Sequence, residues 1–139
     1  MEKLASVLLV DDDTTNNFLN ELLFKRLEIT DHLLVAESGM EALQLLQQPD
    51  ESDGPNLILL DVNMPGMNGI EFLENYVQLP TAQRRASVVI MLTTTMDASD
   101  LARLNDLPIA GLVSKPLTQE KLATILQLHF QRTLPADTN

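Results

Sequence analysis

Five short apolar runs, each followed by a segment with a helical pattern, are the feature that most constrains the fold of this chain. The runs lie at 5–10, 32–36, 57–60, 87–92 and 110–114. They are rich in branched residues and carry almost no polar side chains, which is typical of strands buried on both faces of a parallel sheet. Strand–helix alternation of this kind predicts an α/β fold, a five-stranded parallel sheet with helices on both faces.

The segments between the runs carry helix signals. They predict helices over about 14–28, 38–48, 70–78, 99–105 and 118–131. Asp13 or Thr14 can cap the first helix, and we assign Asp13 to this role rather than to metal binding. Ser38 and Glu41 have capping-box spacing at the second helix. The apolar stripe predicted for the first helix consists of Leu19, Leu22, Leu23 and Leu27.

One series of strand–helix units in 139 residues indicates a single domain, 1–139, with a core at about 5–131 and a C-terminal tail at 133–139. The segment 47–56 is polar and rich in turn-forming residues, so it is predicted to be a surface loop.

Composition excludes several classes of function. Acidic residues outnumber basic ones, 20 to 9, which argues against nucleic acid and against anionic membranes as partners, since both require a basic surface. The chain has no cysteine, so disulfides, thiol catalysis and cysteine–zinc sites are excluded. No apolar run approaches the roughly 18 residues of a membrane span. We expect a cytoplasmic location, with which the lack of cysteine is compatible.

Polar side chains gather where the predicted strands end. Asp11 and Asp12 follow the first strand, Asp61 the third, Thr93 the fourth and Lys115 the fifth. The carboxyl ends of parallel strands share one edge of the sheet, and ligands of open α/β sheets bind beyond that edge. We therefore expect three carboxylates, a hydroxyl and an ammonium to converge there.

Three carboxylates in one cleft either require a cation or have raised pKa values, and we expect a cation. Two carboxylates about 4 Å apart repel by roughly 4 kcal/mol at an effective dielectric constant of 20, and Lys115 supplies only one positive charge. Carboxylate oxygens are hard ligands, so Mg²⁺ is the natural candidate. Mg²⁺ held by few carboxylates usually meets phosphate, which makes Asp61 a candidate nucleophile that forms an acyl phosphate. Lys115 and Thr93 would then stabilise the phosphoryl oxygens.

Four motifs, in order, resemble the receiver domain of two-component response regulators. They are LLVDDD at 8–13, LLDVNMPGMNG at 59–69, MLTT at 91–94 and GLVSKP at 111–116. Each closes a predicted strand, and the resemblance covers about 5–131. It implies a CheY-like, flavodoxin-like (βα)5 fold with strand order 2-1-3-4-5. That order comes from the resemblance rather than from the residue pattern, because such receivers are themselves a standard example of it.

The resemblance also implies a ligand set and a phosphorylation site. Asp61 would accept a phosphoryl group from a phosphohistidine on a sensor histidine kinase or a histidine phosphotransfer protein. Asp12, Asp61 and the backbone carbonyl of Asn63 would bind Mg²⁺ directly, and Asp11 would hold it through water.

Further residues acquire roles from the same resemblance. Lys115 would contact the phosphoryl group, Thr93 would move to bond it, and Lys115–Pro116 would be a cis peptide. Two positions depart from the family pattern. Leu112 stands where receivers often carry an aromatic switch residue, which leaves the activation route open. Thr94 stands where many receivers have alanine, and we expect it to crowd the path of an attacking water and alter phosphoryl lifetime.

The leading interpretation is a stand-alone phosphoacceptor, not an enzyme, that signals to an unknown downstream protein through the fourth helix, the fifth strand and the fifth helix. A chain that is part of a longer protein remains an alternative. A Mg²⁺-dependent phosphatase with an aspartyl nucleophile would need a general acid where Asn63 stands. A flavin or nucleotide carrier would need a phosphate-cradling loop where Asp11, Asp12 and Asp13 would repel phosphate.

Overall fold

The computed structural model describes residues 1–47, 55–80, 88–94 and 98–134. Its strands are β1 (Val7–Val10), β2 (Leu33–Ala36), β3 (Leu57–Asp61), β4 (Val88–Thr93) and β5 (Gly111–Ser114). Its helices are α1 (Thr14–Leu27), α2 (Gly39–Gln47), α3 (Gly69–Tyr76), α4 (Ala98–Leu104) and α5 (Gln119–Phe130). Most of the predicted loop over 47–56 and most of the tail lie outside the described residues.

The strands form one parallel sheet in the order β2-β1-β3-β4-β5. This confirms the predicted fold class and strand order. Every residue of β1 and β3 is buried, as the uninterrupted apolar runs predicted for central strands. Val10 pairs with Leu60, and Thr93 with Ser114, so neighbouring strands end at nearly the same level of the sheet.

Two apolar clusters cover the two faces of the sheet. One cluster joins α2, α3 and α4 to the sheet and includes Phe72 and Tyr76. The other joins α1 and α5 to the opposite face and includes Phe24 and Leu122. Helices therefore cover both faces, and the carboxyl edge of the sheet remains for polar residues.

The apolar stripe predicted for α1 is wrong in part. Leu23 and Leu27 pack against the core, but Leu19 and Leu22 are 55% and 48% exposed. The fully buried residues of α1 are instead Asn17 and Phe24. These two residues lie seven positions apart, which places them on the same face of the helix, two turns apart. A helix that packs on a sheet can bury only one face, so Leu19 and Leu22 on another face stay exposed.

Local hydrogen bonds define the helix ends. Asp13 caps α1, since its carboxylate accepts from the backbone N–H of Thr15 at 2.9 Å and of Asn16 at 3.2 Å. At α2 the backbone N–H of Glu41 donates to the Ser38 hydroxyl at 3.0 Å.

Within the described residues, no helix combines the length and the hydropathy that a membrane crossing requires.

Candidate functional site

Three acidic side chains meet at the carboxyl edge of the two central strands. Asp11 directly follows β1 and Asp61 is the last residue of β3; they are 3% and 4% exposed. Asp12 is exposed at the rim. Carboxylate oxygens of all three lie within 4.8 Å of one another. The structure therefore brings together the three carboxylates that the sequence placed at the ends of separate strands.

Lys115 joins the two buried acids. Its ammonium lies 3.0 Å from Asp11 Oδ2 and 3.1 Å from Asp61 Oδ1. Its backbone N–H donates to the carbonyl of Thr93 at 2.9 Å, so the end of β5 is tied to the end of β4. The Lys115–Pro116 peptide bond is cis. One ammonium thus serves two carboxylates, one from each central strand.

Further hydrogen bonds hold the two buried acids. The backbone N–H of Asp13 donates to Asp11 Oδ1 at 2.9 Å, and that of Asn63 donates to Asp61 Oδ1 at 3.2 Å. Asn17 donates through Nδ2 to the carbonyl of Asp11 at 2.8 Å. The Oδ1 atom of Asn17 is buried and has no hydrogen-bond partner among the described residues.

Asn17 was missed by the sequence reasoning. Asn17 lies two turns before Phe24 on the same helix face, but the sequence did not show that this face is the buried one. An amide at a position that faces the core must bond something buried. Here Asn17 positions the backbone of Asp11.

The environment shifts the pKa values of the central pair. Burial, and next the charge of Asp11, raise the pKa of Asp61 above 3.8, although Lys115 and the N–H of Asn63 oppose this. Burial by itself would lower the pKa of Lys115, but the hydrogen bonds and charges of Asp11 and Asp61 together outweigh it and raise that pKa above 10.5. Lys115 therefore stays charged, and the ionised form of Asp61 is disfavoured.

The donor set fits a hard divalent cation. Three carboxylates face the single ammonium of Lys115, so the cluster carries excess negative charge that raises the energy of Asp61. All of these donors are oxygens, as Mg²⁺ requires. Asn63, whose carbonyl is a predicted ligand, is exposed at the rim two residues after Asp61.

The remaining predicted site residues lie around this cluster. Thr93 is the half-buried last residue of β4 and pairs with Ser114, next to Lys115. Thr94 follows it and is exposed. Leu112 lies on the edge strand β5 and is 43% exposed. Leu112 is therefore a surface residue of β5, and it is not part of the acid cluster.

Two glycines shape the loop after β3. Gly66 has φ +76°, a conformation that costs other residues about 1–2 kcal/mol. Gly69 begins α3 and packs directly on the end of β3. A Cβ atom on Gly69 would lie 2.4 Å from the carbonyl oxygen of Asp61 and 3.0 Å from the Cα of Val62. The backbone of Asp61 can hold its position only because residue 69 lacks a side chain.

A groove of about 650 Å³ runs from the acid cluster along α1. Asp11, Thr94 and Lys115 line the end of the groove at the cluster, and Leu19 and Leu22 line its length on α1. We call it the α1 groove. The leucines that were expected in the core are thus exposed beside the site.

A parallel (βα)5 sheet with an acid cluster and a lysine at its carboxyl edge defines the class of receiver domains. Residues 7–127 match the family described as response regulator receiver domain. The chain belongs to this family, which confirms the resemblance drawn from the four motifs.

Individual relatives agree with this assignment. Response regulator Rcp1 of Synechocystis is 32% identical over 124 residues, covering 87% of this chain and 83% of Rcp1. The signal transduction histidine-protein kinase BarA of Shigella flexneri is 31% identical over 125 residues, which are 89% of this chain but 13% of the kinase. The crystal structure of a two-component response regulator from Cytophaga hutchinsonii has a TM-score of 0.80 and 30% identity, covering 94% of this chain and 100% of that one.

Proposed function

We propose that this chain is a phosphoacceptor receiver in which Asp61 takes a phosphoryl group from a phosphohistidine. One observation carries the proposal. The buried carboxylate of Asp61 ends a central strand, lies 3.1 Å from the ammonium of Lys115, and is grouped with the carboxylates of Asp11 and Asp12. Family membership supports the same role.

The transfer is a displacement at phosphorus. A carboxylate oxygen of Asp61 forms a bond to phosphorus, the bond from phosphorus to the donor imidazole nitrogen breaks, and the donor leaves as neutral imidazole after taking up a proton. The product on Asp61 is an acyl phosphate. Lys115 stabilises negative charge on the phosphoryl oxygens. Mg²⁺, held by Asp11, Asp12, Asp61 and the carbonyl of Asn63, would neutralise charge on the same oxygens.

Phosphorylation would change the edge of the sheet beyond Asp61. It adds nearly two negative charges, which draw Lys115 and the hydroxyl of Thr93 towards the new phosphoryl group. Lys115 and Thr93 are joined through their backbones, so a shift of one is passed to the other and along β5. A downstream protein would read the surface of α4, β5 and α5, on which Leu112 is exposed.

The donor protein would bind the α1 groove. The donor histidine must reach Asp61, so its protein must cover the rim beside the acid cluster. Leu19 and Leu22 line this groove and are 55% and 48% exposed, and contiguous exposed apolar side chains mark interaction sites. The similarity to part of a histidine kinase supports a sensor kinase or a phosphotransfer protein as the donor.

No observation favours the phosphatase alternative. Its general acid would occupy the position of Asn63, whose amide side chain cannot supply a proton. The backbone N–H of Asn63 instead donates to the Asp61 carboxylate. We propose a signalling role, in which the slow loss of the phosphoryl group ends the signal.

Incubation with acetyl phosphate and Mg²⁺, followed by intact mass measurement, tests the proposal. We expect one added phosphoryl group that is lost in Asp61→Asn and retained in Asp31→Asn. Asp31 is an exposed aspartate that pairs with Lys3, so the second variant controls for loss of a carboxylate. A wild-type chain that stays unlabelled at every Mg²⁺ concentration would refute the proposal.

A further inference from the structure

Lys121 occupies an unusual position for a cation. Thr118 caps α5, and its hydroxyl accepts from the backbone N–H of Lys121 at 3.2 Å. Lys121 is therefore the third residue of the helix, where glutamate or glutamine often completes a capping box. The positive end of the helix dipole disfavours an ammonium there. Another interaction must offset this.

The ammonium of Lys121 turns back to the loop between β5 and α5. It donates to the Ser114 carbonyl at 2.8 Å, to the Ser114 hydroxyl at 3.1 Å and to the Pro116 carbonyl at 3.0 Å. A lysine ammonium has three donors, so all three are used. Hydrogen bonds from a charged donor are stronger than neutral ones. One side chain thus fixes the peptide carbonyls on both sides of Lys115.

The position of Lys115 depends on this loop. Its flexible side chain must place the ammonium within 3.0 Å and 3.1 Å of two carboxylates. A lysine side chain has many rotamers, so its reach is accurate only where its backbone is held. The bond from Lys115 N–H to Thr93 holds one point, and Lys121 holds the residues before and after it.

We propose that Lys121 is a positioning residue for phosphoryl transfer, because it fixes the backbone that presents Lys115 to the phosphoryl group on Asp61. The inference rests on the proposed function. Lys121 lies outside the acid cluster, and it affects the transfer only through Lys115.

The first test compares rates of phosphorylation by acetyl phosphate at saturating Mg²⁺. We expect Lys121→Met, which keeps the apolar stem but removes the donors, to lose about tenfold in rate, since small displacements of a positioned group cost up to roughly a hundredfold. Lys121→Arg should recover most of the rate because it retains charged donors. Lys25→Met is the matched control, because Lys25 is an exposed lysine in the last turn of α1; its rate should stay within about twofold of wild type.

A double-mutant cycle separates positioning from general stability. If Lys121 acts through Lys115, Lys121→Met causes no further loss in a Lys115→Met background. Equal losses in both backgrounds would overturn the inference, as would a wild-type rate in Lys121→Met. Thermal unfolding of every variant ensures that rates are compared below the melting temperature. Lys121→Gln replaces Lys121→Met if the latter does not fold. An unlabelled wild-type chain would instead refute the proposed function, and this inference with it.

Discussion

Replacement of Gly69 by alanine should damage both the fold and the site. A Cβ atom at this position would lie 2.4 Å from the carbonyl oxygen of Asp61, and 3.0 Å from both the Cα of Val62 and the Cε of Met91. Two of these three neighbours are backbone atoms, which cannot move aside by a change of rotamer. Relief of the clash therefore requires a shift of α3 or of the end of β3, which carries Asp61.

Two opposing effects determine how much Gly69→Ala lowers the free energy of unfolding. Overpacking in a close-packed interior costs typically about 1–3 kcal/mol, and immobile backbone neighbours place Gly69→Ala at the upper end. The higher helix propensity of alanine returns at most about 1 kcal/mol. The net loss is about 2 kcal/mol. With an unfolding entropy of roughly 2.1 cal/mol/K per residue, a chain of 139 residues should melt about 7 °C lower.

Gly111→Ala is the matched control for this change. A Cβ atom on Gly111 would meet only the Cδ1 of Ile90 at 3.5 Å, an ordinary contact. Loss of a glycine from a strand stabilises by roughly 0.5–1 kcal/mol, so Gly111→Ala should melt no lower than wild type. Thermal unfolding followed by circular dichroism measures all three proteins, and phosphorylation by acetyl phosphate should slow in Gly69→Ala only.

A Gly69→Ala protein that melts at or above the wild-type temperature would show that the approach of Gly69 to Asp61 is not tight in solution. Equal losses in the two variants would show that the clash at residue 69 is not the cause of the loss, because a Cβ atom on Gly111 makes only an ordinary contact. Normal phosphorylation in a destabilised Gly69→Ala protein would separate the fold from the site, and would contradict the claim that Gly69 positions Asp61.

Three further predictions concern the acids. The pKa of Asp61 is raised in the fold, so the stability that its protonated carboxyl contributes is fully present below pH 3.8 and is lost as the pH rises through the folded pKa. Without divalent cations at pH 7, Asp61→Asn should therefore melt higher than wild type. A lower melting temperature would contradict this. Mg²⁺ at 100 times its Kd should add about 2.7 kcal/mol, or about 9 °C, to the wild type, while Asp12→Asn should lose most of this gain in the same melting assay. Asp13→Ala removes a helix cap and should cost about 1 kcal/mol in denaturant unfolding, yet leave the Mg²⁺ gain intact; a lost gain would make Asp13 a metal ligand.

The residue pattern predicted the elements because the strands are continuous apolar runs. Every strand and helix lies within a few residues of its predicted bounds. The orientation of α1 could not be predicted, because its leucine and phenylalanine side chains lie on more than one side of the helix. There are six of them: Phe18, Leu19, Leu22, Leu23, Phe24 and Leu27. Which side is buried depends on the contact with the sheet and on the position of Asn17, both of which are properties of the folded chain.

The sequence predicted which residues meet in the acid cluster. The edge rule for parallel sheets needs only the ends of strands, and Asp11, Asp61 and Lys115 stand there. The supporting residues Asn17 and Lys121 were not predicted, because their roles depend on distances between side chains and backbone atoms. Sequence spacing places them on helices but does not show which carbonyl each one bonds.

In the proposed function, the sharing of one lysine by two acids would let the site act as a switch. The ammonium of Lys115 is nearly equidistant from Asp11 and Asp61, at 3.0 Å and 3.1 Å. In the proposed function, new negative charge on Asp61 breaks this balance and draws the ammonium from Asp11 towards the phosphoryl group. Because Lys121 fixes the loop around Lys115, this shift cannot be absorbed by the loop alone. It would instead change the contacts at the ends of β4 and β5, and through β5 the surface of α4, β5 and α5 that a partner would read.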